Sequence, residues 1–206
     1  MLDALKRVPI WFWPAAAALL AVQVVVLHLM GQPFLALSGR LMLWVDDPFS
    51  PDMSQQLADW YSFSHLIHGF IFFGLLHLVA PRLPVAARLL IAMGTEIAWE
   101  FTENSPAVIQ HYRQQALAAG YSGDSILNSV SDTLMMSTGF VIASIWPARR
   151  VVAIAVAFEL FALLMIRDNL TLNVLNLIAP QSWAPIQAIH HWQEGGRGAP
   201  VRPTSP

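Results

Sequence analysis

The chain has 206 residues, 56% of them hydrophobic and only 12% charged, with a formal net charge of −2 and no cysteine. A soluble domain carries about 25% charged residues, so this composition, with a mean hydropathy of +0.53, argues against a water-soluble enzyme. Without cysteine there are no disulfides, thiolate metal sites or thiol nucleophiles, and without a basic cluster nothing directs the chain to nucleic acid.

Backbone polar groups in lipid must be satisfied inside helices or closed barrels. Alternating barrel-type strands are absent, so the predicted fold is an all-α, polytopic transmembrane helical bundle with about five spanning helices of roughly 20 residues each. The first span runs from Pro9 to Met30, after Lys6 and Arg7, and opens with an aromatic belt, Trp11-Phe12-Trp13. Its apolar stretch exceeds a cleavable signal core and no small-x-small site ends it, so it is read as a retained helix. Residues 31–60 form a connection holding Asp46, Asp47, Asp52 and Asp59, with Leu41-Met42-Leu43-Trp44 placed along the interface.

The second span covers Tyr61 to Val79 and stops at Pro81-Arg82-Leu83-Pro84, where proline prevents continuation of the helix. The third runs from Val85 to Glu103 and ends before Ser105-Pro106, because a residue preceding proline disfavours the helical region. Residues 106–123 read as a polar loop. The fourth span covers Ser125 to Trp146, and the fifth Val151 to Ile166. Leu170 to Ala179 is too short to cross and is interrupted by Pro180 and Pro185, which predicts an interfacial or re-entrant segment; a sixth crossing over residues 170–193 stays open. Residues 1–193 form one integral membrane domain, and the Gly- and Pro-rich residues 194–206 a disordered tail.

Lys6, Arg7, Arg82, Arg88, Arg149 and Arg150 all flank one side of these spans, against Arg40, Arg113 and Arg167 on the other. By the positive-inside rule the N-terminus is cytoplasmic, in a bacterial inner membrane.

Ionisable groups at membrane depth are costly and mark function. At 1.5 Å per residue, His65 and His68 lie about 6 and 10 Å below the start of the second span, Glu103, Glu100 and Glu96 about 1, 6 and 12 Å below the end of the third, and Asn128 and Asp132 about 4 and 10 Å into the fourth. The faces agree as well: Glu96, Glu100 and Glu103 repeat at i, i+4, i+7, and Asp124, Asn128 and Asp132 at i, i+4, i+8, so each helix offers one polar stripe. Such stripes should face one another in a cleft open to the outer surface, with Glu159 of the fifth span completing the wall.

Two imidazoles beside carboxylates suit a divalent metal such as zinc or manganese, for which His65, His68 and Glu100 are the expected ligands. Without metal, a carboxylate pair in a low-dielectric cleft offers an acid and a base, and Glu100, His68 and Asp132 are the candidate catalytic groups. His65, Glu96, Glu103, Asn104, Arg113, Asp124, Asn128 and Arg167 are the candidate substrate-binding residues, with the Arg113 guanidinium either set to neutralise Glu103 or hold a phosphate or carboxylate, or simply exposed to solvent. The other reading of the same groups is hydrogen-bonded glue between helices. Gly69, Gly74, Gly139 and Ser144 are read as permitting close helix packing, Met135-Met136 as filler, and His190-His191 as interfacial. Asn169-Leu170-Thr171 matches a glycosylation pattern too short to carry weight.

The stretches Trp60 to Gly69, Trp99-Glu100 with Glu103-Asn104-Ser105-Pro106, Tyr121 to Ser125 with Asn128 to Asp132, and Ile166 to Asn173 resemble an alphaproteobacterial family of multi-pass inner-membrane proteins of unknown function. That resemblance implies a membrane location and no activity. A fainter one is to VanZ-like envelope proteins, which are similar in a helical His, here His68, followed by an acidic residue and an Asp-x-x-x-Asn step, here Asp124 to Asn128; Ser64-His65 departs from the Asp-Lys usual there, and Ser131 from its glycine. The expected function is binding or processing of an envelope lipid-linked or phosphate-bearing substrate, with membrane lipid as partner. A proton-coupled carrier and a non-catalytic assembly subunit are the alternatives.

Overall fold

The computed structural model describes residues 8–114, 116–118 and 120–194. Lys6, Arg7 and the tail beyond residue 194 lie outside the described residues. Within them are eight α-helices and no strand: α1 Phe12–Leu29, α2 Ser62–Val79, α3 Val85–Glu103, α4 Pro106–Tyr112, α5 Ile126–Ile145, α6 Ala148–Ile166, α7 Leu170–Ile178 and α8 Ala184–Glu194, with a 3₁₀ turn at Ala116–Ala118.

Local chemistry explains most helix boundaries. Pro84 and Pro147 stand at the N-caps of α3 and α6, where the missing N–H costs nothing. Ser125 Oγ accepts the Asn128 N–H at 3.1 Å to start α5, and Asn169 Oδ1 accepts the Leu172 N–H at 2.9 Å to start α7. The Asn169-Leu170-Thr171 triplet is therefore a helix cap.

Three helices, α1, α2 and α5, are long and apolar enough to cross a membrane by length and composition. The other two expected spans, α3 and α6, have 19 residues each but carry more charge: Arg88, Glu96, Glu100 and Glu103 on α3, and Arg149, Arg150 and Glu159 on α6. The bundle's outside is apolar, with Leu29, Leu78 and Leu164 each more than three-quarters exposed, which is how a lipid-facing surface differs from a soluble one. Exposed hydroxyls on this surface satisfy themselves: Thr138 Oγ1 donates to Leu134 O at 2.8 Å and Thr102 Oγ1 to Ala98 O at 2.8 Å.

One expectation needs correction, and one open question is answered. Residues 106–123 are not a plain loop, because Ser105 caps α4 with Pro106 in its first turn. Residues 170–193 do not form a sixth span: α7 has 9 residues and α8 has 11, separated at Pro180, and neither approaches the roughly 20 needed.

α2 and α5 form the closest helix pair. A Cβ at Gly69 would lie 2.1 Å from Met136 O and 2.5 Å from Phe140 N, and one at Gly139 would lie 2.1 Å from Leu66 O. Small residues let the two backbones touch, and this sets how near His65 on α2 comes to Asp132 on α5. Below that contact, towards the Pro81 and Pro147 turns, Ala92, Met93, Met136 and Phe140 pack into a dry plug. Gly74 has nothing within 4 Å of such a Cβ, so its expected packing role is not realised.

At the other end, residues 32–57 clamp the start of α5. Pro33 O and Phe34 O accept from Ile126 N and Leu127 N at 2.8 and 3.2 Å, and Ser54 O accepts from Ser125 N at 3.0 Å. Gln55 O accepts from Ser125 Oγ at 2.9 Å, Gln56 O from Asn128 Nδ2 at 2.9 Å, and Leu57 O from Ser131 Oγ. The connection between the first two spans is thus a lid whose carbonyls are satisfied by α5. Gly69→Ala should lower stability by about 1–3 kcal/mol or more, because helix backbones must separate, while Gly74→Ala should be neutral or stabilising by up to about 1 kcal/mol. Unfolding of the two variants in mixed micelles measures the difference, and equal losses would contradict the packing.

Candidate functional site

Glu96 is the hub of the polar cluster. Its side chain is fully buried and receives two imidazoles from α2: His65 Nδ1 donates to Oε1 at 2.5 Å, and His68 Nδ1 lies 3.1 Å from both oxygens. A carboxylate only accepts, so the proton sits on His65 Nδ1 and Nε2 is left facing away from Glu96. Nε2 stands 3.8 Å from Asp132 Oδ2 on α5, and Nδ1 stands 3.8 Å from Glu100 Oε1 on α3. Glu100 Oε2 accepts from Ser129 Oγ at 2.6 Å, and Ser62 Oγ reaches Asp132 Oδ1 at 3.4 Å. Glu100 Oε1 is buried and has no hydrogen-bond partner.

Three helices therefore bring His65, His68, Glu96, Glu100 and Asp132 together. A second group lies nearer the lid. Asn104 and Asp124 are paired reciprocally, Asn104 Nδ2 donating to Asp124 Oδ2 and Asp124 N to Asn104 Oδ1, both at 2.7 Å. Tyr121 OH adds a bond to Asp124 Oδ1 at 2.9 Å. The turn between them needs Gly123, whose φ of 95° is in the left-handed region and whose Cβ would meet Gln32 and Asn104. Asn128 is occupied in the clamp, and Glu103, half-buried, is held by Tyr112.

Both groups border a cavity of about 560 Å³. Its floor carries His65, His68, Asp132, Asn128, Asp124 and Glu103, and one wall is apolar, made by Phe72, Ala98 and Trp99 on one side and Leu170, Val174, Leu177 and Ile178 on the other. A cavity of this size suits a small molecule or the upper part of a lipid. No Lys or Arg lines it among the described residues.

Four assignments are corrected by these positions. Arg113 is exposed and donates from Nε to Tyr121 O, bracing the loop instead of covering Glu103. Arg167 takes φ 58° at the end of α6, donates to Trp192 O at 2.8 Å and stacks over the Trp192 ring, and it does not line the cavity. Glu159 does not complete the wall, since its oxygens accept the Leu170 and Thr171 N–H groups at 3.0 and 3.1 Å and cap α7. The expected ligand set His65, His68 and Glu100 is not gathered: His68 stays with Glu96, and the two groups with metal-like spacing are His65, His68 and Glu96, and His65, Glu100 and Asp132. Arg88, taken as a flanking cation, is itself buried between His77, 3.3 Å away, and the Phe73 ring. His190 bonds Asn176 Oδ1 at 3.2 Å, outside the cluster.

Sequence reasoning missed the uncharged residues that hold the cluster. Gln23 on α1 is fully buried, donates to Ser129 O at 2.9 Å and accepts from Thr133 Oγ1 at 3.1 Å, and Ser129 in turn holds Glu100. A glutamine inside an otherwise apolar span was the available signal. Asp168 was also missed. It is fully buried and accepts from Tyr61 OH at 3.0 Å, Asn169 N at 3.0 Å and Gln193 Nε2 at 3.3 Å, tying the start of α2 to α8.

The fold and site together define an all-helical bundle, apolar outside and compatible with a membrane, that encloses an imidazole–carboxylate cleft. The chain belongs to the family described as protein of unknown function (DUF2585), whose pattern matches residues 27–195. It is similar to a UPF0314 protein of Sphingopyxis alaskensis, 51% identical over 184 residues that cover 89% of this chain and 95% of that one. UPF0314 proteins of Rhizobium meliloti and Brucella anthropi are 48% identical over 193 residues and 43% over 178, covering 94% and 86% of this chain and 95% and 88% of theirs. No solved structure matches.

Outside the spans, burial raises the Asp168 carboxyl from 3.8 to about 7, against the lowering effect of its three donors, and raises Asp124 to about 6. The folded state thus binds more protons than the unfolded one between these values and 3.8, so their contribution to stability is fully present below about pH 4 and is lost as pH rises through about 7. Thermal unfolding followed across that window should show stability falling with pH, and Asp168→Asn should flatten the upper part of the slope. An unchanged slope in the variant would remove Asp168 as its source.

Proposed function

We propose that this is a multi-pass inner-membrane protein whose cleft binds an amphipathic, lipid-linked molecule of the envelope. The observation that carries the reading is the cavity's division into a polar imidazole–carboxylate floor and an aliphatic wall between α3 and α7. A head group held at the floor would leave its chain against Trp99, Val174 and Leu177. With Arg113 and Arg167 turned away, the lining holds no fixed cation among the described residues, so the floor favours a head rich in hydrogen-bond donors or carrying positive charge. A phosphate-bearing head would need a counter-cation to bind there.

In this reading α3 and α6 also cross, giving five spans. Their charges are compatible with that, since Glu96 and Glu100 are buried inside the bundle and Arg149 and Arg150 lie at the first turn of α6, where long cations reach the interface. The cytoplasmic side is the one bearing Lys6, Arg7, Arg82, Arg149 and Arg150, which puts the cleft in the outer leaflet half. A carrier is disfavoured by the buried apolar cluster of Ala92, Met93, Met136 and Phe140 beneath Glu96. A purely structural role for the cluster is disfavoured by Glu100 Oε1, a buried carboxylate oxygen without a partner, which costs about 1–3 kcal/mol or more to leave unpaired.

The test is capture of a photoactivatable phospholipid by the purified protein in nanodiscs. Leu177→Trp, which fills the aliphatic wall, should reduce capture at cleft residues at least tenfold, whereas Leu164→Trp on the exposed surface should not. Equal capture by both variants would reject the cleft as a lipid site. Reporter fusions after residues 104 and 167 should report the outside and one after residue 82 the cytoplasm; the reverse pattern would reject the orientation.

A further inference from the structure

Three side chains at the floor of the cleft or just beneath it each have one atom engaged inside the protein and one left over: His65 and Asp132 line the cavity, and Glu100 lies behind them. His65 Nδ1 is held by Glu96, Glu100 Oε2 by Ser129 and Asp132 Oδ1 by Ser62. The remaining atoms are His65 Nε2, Glu100 Oε1 and Asp132 Oδ2. Nε2 and Oδ2 are 3.8 Å apart, and the three residues offer ligand atoms that all lie within 4.8 Å of one another. Two donors bound at about 2.0–2.2 Å to one ion stand roughly 3–4 Å from each other. Glu100 is 1% exposed, and among the described residues with a buried, unpartnered side-chain atom it is the only carboxylate.

We propose that His65, Glu100 and Asp132 bind one divalent transition-metal ion of the zinc or manganese class, with its remaining coordination position open to the cleft. The donor set of one imidazole nitrogen and two carboxylate oxygens suits such ions, and three protein ligands with an open place is the pattern of a working site, not a closed structural one. Glu96, Ser129 and Ser62 are the positioning residues: a carboxylate on the far nitrogen of a ligating histidine fixes its tautomer and orientation. The ion would also neutralise two carboxylates for which the cleft supplies no Lys or Arg among the described residues. The neighbouring group of His65, His68 and Glu96 is not the site, because its oxygens and nitrogens are already at hydrogen-bond distance with no room for an ion.

The inference rests on the cleft being a working site, and its test separates the two. Full-length protein is stripped with EDTA in detergent, loaded with Zn²⁺ or Mn²⁺ alone, passed through gel filtration and assayed for bound metal; Co²⁺ serves as an optical probe of the ligand field. Wild type should retain about one equivalent, and Glu100→Gln or Asp132→Asn should lose it. Ser129→Ala leaves all three ligands in place and should weaken binding about 10–100-fold, so the inference stays testable even if the carboxylate variants fold poorly. Retention below about a tenth of an equivalent by well-folded wild type overturns it, as does a full equivalent kept by both carboxylate variants. Lipid capture by stripped wild type that takes up no metal overturns the metal site alone. Metal bound without lipid capture overturns the lipid reading alone.

Discussion

Burying a carboxylate in an apolar bundle is costly unless hydrogen bonds surround it, and Glu96 meets that demand with two histidines from the next helix. Because His65 and His68 are one turn apart, satisfying Glu96 fixes both the rotation of α2 about its axis and its height against α3. Everything near the cleft follows from that register. His65 Nε2 is then directed towards α5, Asp132 meets it there, and the glycines at 69 and 139 let α5 approach closely enough for the meeting to occur. Interhelical hydrogen bonds in lipid contribute about 0.6 kcal/mol on average, so specificity of register, more than raw stability, is what this arrangement supplies.

The lid solves a different problem. The first amides of α5 have no helical partner, and burying them under a connection would ordinarily be expensive. Residues 33, 34 and 54 to 57 bring carbonyl oxygens to those amides and to the hydroxyl and amide side chains of Ser125, Asn128 and Ser131. The lid and the helix end thus satisfy each other, and the cleft acquires a roof without a separate domain. Tyr61, bonded to Asp168, joins that roof to the C-terminal helices.

Polar and apolar parts of the cavity have separate origins, which bears on what it can do. The floor comes from the inward stripes of α2, α3 and α5, the aliphatic wall from α7, a helix too short to cross and capped by Glu159 from α6. A ligand that engaged both would lie with its head among the carboxylates and its chain towards the lipid. The plug beneath the floor closes the other direction, so the geometry is that of a pocket entered from one end.

Composition and proline punctuation were enough to read the all-helical character, the main helix limits from Ser62 to Ile166 and the convergence of the three polar stripes, because helical periodicity and rise are local properties that hold in any surroundings. Which carboxylate each histidine takes was not legible. Glu96 and Glu100 are one turn apart on the same face, and only the helix crossing decides between them. The roles of Arg113, Arg167 and Glu159 were misjudged for the same reason: a long or charged side chain near a cleft has several partners within reach, and backbone groups of α7, α8 and the Tyr121 loop won. The uncharged supports, Gln23, Ser62 and Ser129, carried little signal because their function is set by neighbours distant in the chain. The sequence alone determined that costly polar groups would be buried at one depth of a helical bundle; tertiary packing decided which of their atoms find partners and that Glu100 Oε1, beside His65, does not.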